Sequence, residues 1–234
     1  MKVICLLLFF FVCGSLAHHC KNTTGYNTRF SLSAYNTYFP GKNGMEAMSF
    51  FECGSINIDF KQKQMAVSFH IIISGHPTID GSLFAFGQNN TMYVTMNNGT
   101  ACKKFPNSYP FPSGWPNVTN WGKTKIGQTS VDILDIPASP NGPMTNQTVF
   151  YDHKHCACLS TIIRNADISN AGVSTMLFFN FENKPNPDGF NLPSSCLNSD
   201  EHVDILLNRK RGDPTAEEQF QQSKALHYIL QAFQ

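Results

Sequence analysis

Charge is scarce in this chain. Only 14% of its residues are Asp, Glu, Lys or Arg, against about a quarter in ordinary soluble domains. The balance comes to a formal net charge of +1, which supplies none of the basic field that nucleic-acid binding depends on, so nucleic acid is excluded as a partner. Long apolar runs are lacking too. Past the N-terminus no stretch approaches the ~20 residues of a membrane-spanning helix, which predicts a soluble product. No nucleophile elbow, no Ser-His-Asp order in a glycine frame and no P-loop occurs. No internal repeat is visible. These absences favour a binding protein over an enzyme. With so few charges, polarity at the surface must come from Asn, Ser, Thr and Gly, a composition that suits a glycoprotein kept soluble by its sugars.

What is present begins at the first residue. Lys2, the apolar run Val3 to Val12 and the small-residue step Ser15-Leu16-Ala17 make a secretory signal peptide over residues 1–17, cut after Ala17. The mature chain then starts at His18 and folds in an oxidising lumen. Of the 8 cysteines, Cys5 and Cys13 leave with the signal. The remainder, Cys20, Cys53, Cys102, Cys156, Cys158 and Cys196, is an even set that permits three disulfides in about 15 connectivities. N-x-[ST] sequons stand at Asn22, Asn89, Asn98, Asn117 and Asn146, and each one used must lie at the surface. About 217 residues remain after cleavage (234 less 17), enough for one domain with a sizeable core. The 20 Phe point to a large aromatic interior or an apolar cavity.

Periodicity is mostly of period two and broken by turn residues, the pattern of antiparallel strands. Gly54 to Phe60, Met65 to Ile73, Leu83 to Phe86 and Thr91 to Met96 read as a meander in which each strand pairs with the one before it. Lys61 to Gln64, Gly87 to Asn90 and Asn97-Asn98-Gly99 supply its turns. Residues 105–121, with Pro106, Pro110, Pro112 and Pro116, read as an ordered loop. Strand pattern returns at Thr129 to Ile136, Thr148 to Tyr151, Leu159 to Ile163 and Ser174 to Phe181. The last is nearly continuous in apolar residues, so both its faces are expected to be covered, by a helix or a ligand. Asp213-Pro214-Thr215 opens an amphipathic helix running to the C-terminus. It is expected to dock on its own domain; an anionic membrane surface is the alternative, against which the shortage of Lys and Arg beyond Lys224 weighs.

Four constellations could carry chemistry. Asp152-His153-Lys154-His155-Cys156-Ala157-Cys158 gathers metal-ligand types, but in an oxidising compartment the C-x-C reads as a junction of two disulfides. His18, as a free N-terminus, could chelate copper with a distant histidine, for which His70, His76, His153 and His155 are candidates. Arg211-Gly212-Asp213 is an integrin-type tripeptide within a basic run, Arg209 to Arg211, that also matches a proprotein cleavage site. Asp132, Asp135, Asp167 and Asp188 are hard oxygen ligands for calcium if they converge, although no calcium-loop spacing is present.

The order of these pieces resembles the ependymin-related protein family. The resemblance rests on Gly54-Ser55-Ile56-Asn57-Ile58-Asp59, on Gly81-Ser82-Leu83-Phe84-Ala85-Phe86 into Met92-Tyr93-Val94, and on Thr100-Ala101-Cys102-Lys103-Lys104. It continues in Ser174 to Phe181 and closes on Pro187-Asp188-Gly189-Phe190-Asn191-Leu192-Pro193-Ser194-Ser195-Cys196. It covers about residues 20–197, setting an ependymin-like β domain at 18–198 and a C-terminal extension with a helix at 199–234. The resemblance implies a mainly β (α+β) fold. That fold is a strongly curved antiparallel LolA-like sheet with helices against its concave side, enclosing a pocket for lipid or another hydrophobic ligand. Phe69, Ile71, Phe84, Phe86, Phe179 and Phe181 are the pocket candidates. It further implies a secreted or lysosomal glycoprotein, with calcium binding, cell adhesion and a homodimer associated with the family. Cys102 would pair with Cys196, and Cys20 with Cys156 or Cys158. The family's remaining bridge has no counterpart here, so Cys53 is expected to pair with one member of Cys156/Cys158 and Cys20 with the other. The reading is therefore a lipid-binding lumenal protein with no cofactor other than calcium. Its alternatives are a copper-dependent oxidase using His18 and an extracellular adhesion protein.

Overall fold

A computed structural model describes residues 24–41, 44–75, 77–96, 99–106, 118–136, 145–165, 169 and 171–197. The signal peptide, His18, Cys20, His76, Asp167, the sequons at Asn22, Asn98 and Asn117, the Arg209 to Asp213 run and the C-terminal helix lie outside them.

Eleven strands form a single antiparallel sheet. In chain order they are β1 (Gly25–Gly41), β2 (Gly44–Asp59), β3 (Gln64–Ile73), β4 (Ile79–Phe86), β5 (Thr91–Met96), β6 (Ala101–Pro106), β7 (Thr119–Ile126), β8 (Thr129–Ile136), β9 (Thr145–Asp152), β10 (Ala157–Asn165) and β11 (Val173–Glu182). Across the sheet the order is β6-β5-β4-β3-β2-β1-β11-β10-β9-β8-β7. Every strand pairs with its predecessor except β7, and β1 joins the two meanders by pairing with β11. The predicted strands all form. β1, the first half of β2, β6 and β7 are additional, and β6 and β7 take the two ends of the segment read as a loop.

The topology forces the sheet to curl. Laid flat, eleven strands at ~4.8 Å spacing would set edges β6 and β7 about 48 Å apart. The chain from Pro106 to Thr119 reaches at most about 47 Å when fully extended. It must also travel the length of a strand, because five antiparallel steps on either side of β1 leave β6 and β7 running the same way.

Directly opposed residues of an antiparallel pair share a face, so the register sorts the side chains. One face carries Tyr26, Phe30, Leu32, Ile56, Ile58, Met65, Val67, Phe69, Ile71, Leu83, Val94, Ile163 and Met176, all buried in one cluster; this is the concave side. Curvature is accommodated by alternating large and absent side chains. Phe178, Phe30, Gly54, Phe69, Gly81 and Met96 lie in one row across β11, β1, β2, β3, β4 and β5. A Cβ on Gly81 would stand 2.6 Å from the Phe69 ring, and one on Gly54 3.1 Å from the Phe30 ring. Only glycine lets each ring lean over the neighbouring strand.

Four irregularities adjust the register, two of them where β1 meets β2 and β11. Asn36, at φ 51°, interrupts β1; its N–H donates to Ser49 Oγ at 3.0 Å and its carbonyl accepts from Asn165 Nδ2 at 3.0 Å. Asn180, at φ 53°, shifts β11 against β1. That extra residue brings Phe181 to the same side as Phe178, where its ring stacks on Tyr26 at 5.2 Å.

Among the described residues, helix is confined to a 3-10 turn (Pro187–Phe190) and α1 (Ser194–Leu197). They lie on the convex side, not the concave side where helices were expected. Asn57 Nδ2 donates to the Asn186 carbonyl at 2.7 Å, and Asn186 N–H donates to Asn57 Oδ1 at 2.9 Å. Asn57, Ala66 and Phe84 form an outward-pointing row that is nonetheless buried, and the turn packs over it against β3. The segment then reaches edge strand β6, where Ser195 Oγ donates to the Gly99 carbonyl at 2.6 Å and Cys196 is bonded to Cys102. It is a strap stapled at its far end. The expectation that β11 is covered on both faces is corrected: Val173, Leu177 and Phe179 are exposed on its convex side.

Candidate functional site

The concave face divides into an apolar wall and a polar flank. The wall is built by β1 to β5, because in these strands one set of alternate positions is almost wholly aliphatic or aromatic. Of the six pocket candidates, Phe69 and Ile71 belong to it, and Phe181 reaches it through the Asn180 bulge. Phe84, Phe86 and Phe179 do not. Phe84 points outward beneath the strap, Phe86 sits edge-on to Tyr93 on the same convex side with centroids 6.1 Å apart, and Phe179 is 46% exposed. The reason is parity: residues 84 and 86 are out of phase with Leu83 and Ala85, which face the core.

One charged residue interrupts the wall. Glu52 lies opposite Leu32 of β1 and Ile71 of β3, is 1% exposed, and its Oε1 has no hydrogen-bond partner. Burial pushes its carboxyl up to about 8, since an unpaired charge in apolar surroundings is strongly disfavoured. No titratable group faces it from β1 or β3, where Phe30, Leu32, Ala34, Phe69, Ile71 and Ile73 are the concave neighbours. It therefore holds its proton at neutral pH.

The polar flank comes from β8 to β10. Gln147 and Thr145 of β9, opposite Ile163 and Asn165 of β10, are buried with Gln147 Oε1 and Thr145 Oγ1 unpartnered. Farther along, Tyr151 is buried opposite Asp132, and its hydroxyl pKa is raised by burial and then by the charges of Asp152 and Asp132. Asp132 meets the His153 ring, which stands edge-on to Tyr151 with centroids 5.3 Å apart. Sequence reasoning missed Glu52, Gln147 and Thr145. The signal for Glu52 was there: the alternation Ile58, Ile56, Gly54, followed backwards, lands on residues 52 and 50.

The turn after β9 holds the remaining constellation. Asp152 Oδ1 accepts from the N–H groups of Lys154 at 2.8 Å and His155 at 3.2 Å, and Oδ2 pairs with the His155 ring. Burial pushes the Asp152 carboxyl up, but these bonds outweigh it and the net shift is downward. Asp152 thus acts as the cap of a tight turn. Cys156 and Cys158 are both disulfide-bonded. Cys53 is a free thiol, which corrects its expected pairing with that motif: it lies on β2 opposite His70 of β3, on the convex side. His70 bonds Asp80 at 2.6 Å. The described members of the acidic set do not converge, since Asp132 is concave, Asp135 lies 3.7 Å from Arg164 on the other face, and Asp188 is in the 3-10 turn. Among the described residues no three His, Cys, Asp or Glu side chains gather as metal ligands.

Of the described sequons, Asn89 is exposed in the turn between β4 and β5, whereas Asn146 is half-buried within β9. No described helix is long and apolar enough to cross a membrane.

Comparison with known proteins adds the following. A model of the ependymin domain of amoebozoa matches residues 18–224. An uncharacterized protein of Dictyostelium discoideum is 39% identical over 180 residues, which are 76% of this chain and 56% of that protein. The chain thus spans a little over half the length of that relative. Among solved structures, MucB in complex with MucA(peri) aligns with a TM-score of 0.34 at 12% identity, over 74% of this chain and 55% of that one.

Proposed function

We propose that this chain, which belongs to the ependymin family, is a secreted, disulfide-bonded glycoprotein that binds a lipid or similar hydrophobic ligand on the concave face of a LolA-like sheet. The observation that carries the reading is the wall itself. Apolar side chains line one face of five successive strands and β11, while β6 and β7 remain the two ends of the sheet rather than closing it into a barrel. A curled sheet whose end strands are not paired to each other offers an apolar ligand a concave surface. Glu52 Oε1, Gln147 Oε1 and Thr145 Oγ1, buried on the same face without hydrogen-bond partners, fit a ligand that is not purely hydrocarbon. The calcium-linked adhesion associated with the family finds no gathered ligand set among the described residues.

Native mass spectrometry of the full chain, purified from secretory expression and extracted gently, tests the reading. A retained or reloadable lipid is the expected result. A protein that carries no lipid and binds neither a fluorescent fatty acid nor anionic liposomes would sink it.

A further inference from the structure

We propose that Glu52 is a head-group residue, selecting a neutral, hydroxyl-bearing amphiphile over a fatty acid or an alkylamine; this rests on the ligand-binding reading above. The geometry puts a single carboxyl in the apolar wall, in register with Leu32 and Ile71, 1% exposed and with Oε1 unsatisfied. A buried polar atom left unpaired is costly, and native structures rarely keep one without a role. The role must come from outside the wall, because the concave neighbours on β1 and β3 are Phe, Leu, Ala and Ile and offer no hydrogen-bonding side chain.

The chemistry of the partner follows from the protonation state. A neutral carboxyl presents one O–H donor and a carbonyl acceptor. A hydroxyl group donates and accepts once each, and so satisfies both. A carboxylate head would bring a formal charge into the wall with one donor to meet it. An ammonium head would require Glu52 to ionise, adding its desolvation to that of the ligand. Gln147 Oε1 and Thr145 Oγ1 extend the same preference. They are an amide acceptor and a hydroxyl that both donates and accepts, on the concave face and separated from the Glu52 row by β1, β11 and β10, and they suit a ligand with a second hydroxyl.

The test uses the full chain and a neutral, headless fluorescent probe, displaced in turn by a long-chain alcohol, fatty acid and alkylamine of equal chain length. The alcohol is expected to compete best at pH 6, by about tenfold, a usual size for one good hydrogen bond to a buried group. Glu52→Gln, which keeps a donor and an acceptor, should retain that preference within a few-fold. Glu52→Leu should abolish it while the headless probe still binds, which also reports a folded wall. Raising the pH above 8 should weaken the alcohol in the native protein but not in Glu52→Gln. Equal competition by the three amphiphiles, or an alcohol preference that survives Glu52→Leu, overturns the assignment while leaving hydrophobic binding intact. Failure of the headless probe to bind refutes the binding function itself, and this inference with it.

Discussion

Replacing Glu52 by Gln should flatten the dependence of folding stability on pH between about 4.5 and 8. In the unfolded chain the side chain ionises at its ordinary value of 4.5, whereas the folded protein holds the proton to about 8. Between these limits the folded state carries a proton that the unfolded state has released, so raising the pH favours unfolding. Below pH 4.5 both states are protonated and the group contributes no slope. Above 8 both are ionised and the full penalty is present. Each pH unit crossed is worth about 1.4 kcal/mol, and an interval of about 3.5 units (8 less 4.5) gives an upper limit of roughly 5 kcal/mol, which relaxation around the ionised group would reduce. Asp152 acts in a different window. Its pKa is lowered from 3.8, so its stabilisation is present above that value and is lost only as the pH falls through the lower folded value. Urea unfolding of the native chain and Glu52→Gln at pH 5, 6, 7 and 8 isolates the effect, because every other group cancels in the difference. The native protein should lose stability relative to the variant by about 1 kcal/mol per pH unit. Parallel profiles would show that Glu52 is solvated or paired, and the description of the wall would be wrong.

Gly81→Ala should destabilise by about 1–3 kcal/mol through overpacking. Its Cβ would stand 2.5 Å from the Thr95 carbonyl and 2.6 Å from the Phe69 ring, and the ~0.4–1 kcal/mol gained from a stiffer unfolded chain does not offset that; thermal melts with a midpoint at or above the native value would refute it. Cys102→Ala with Cys196→Ala opens a loop closed over a separation of 94 residues and should cost about 2–4 kcal/mol. Hydrogen exchange should then rise first in residues 183–197; a uniform rise would mean that the staple does not hold the strap. Cys53, free and half-buried, should be alkylated by iodoacetamide without reductant, and a peptide map showing it oxidised would restore the pairing that the sequence suggested.

The strands were legible because most alternate. Gly54 to Phe60 and Met65 to Ile73 each expose a period of two, and the turn between them holds Lys63 at φ 53°. β1 was overlooked although Phe30-Ser31-Leu32-Ser33-Ala34 alternates with period two, because the run is short and the Asn36 bulge breaks its phase. β7 was hidden by having almost no buried face: as an edge strand it can carry Asn, Lys and Thr throughout. Facing was the harder problem. Phe84, Phe86 and Phe179 were grouped with the pocket by residue type, yet type does not fix parity, and one residue of phase moves a side chain to the other side of the sheet. The same parity argument recovers what type concealed. Phe50 and Phe51 are adjacent and chemically equal, so the pair alone cannot say which faces inward. Continuing the phase of Ile58 and Ile56 through Gly54 decides it: Phe50 packs on the core, Phe51 is exposed, and the residue between Phe50 and Gly54 on the inward side is Glu52. A strand that spends one of its core positions on an unpaired carboxyl gives up stability that Leu or Ile at that position would supply. In a wall otherwise built of Phe, Ile, Leu, Val and Met, that loss is offset when something else supplies the missing hydrogen bond, and the ligand proposed for the concave face is the supplier that Glu52→Leu tests.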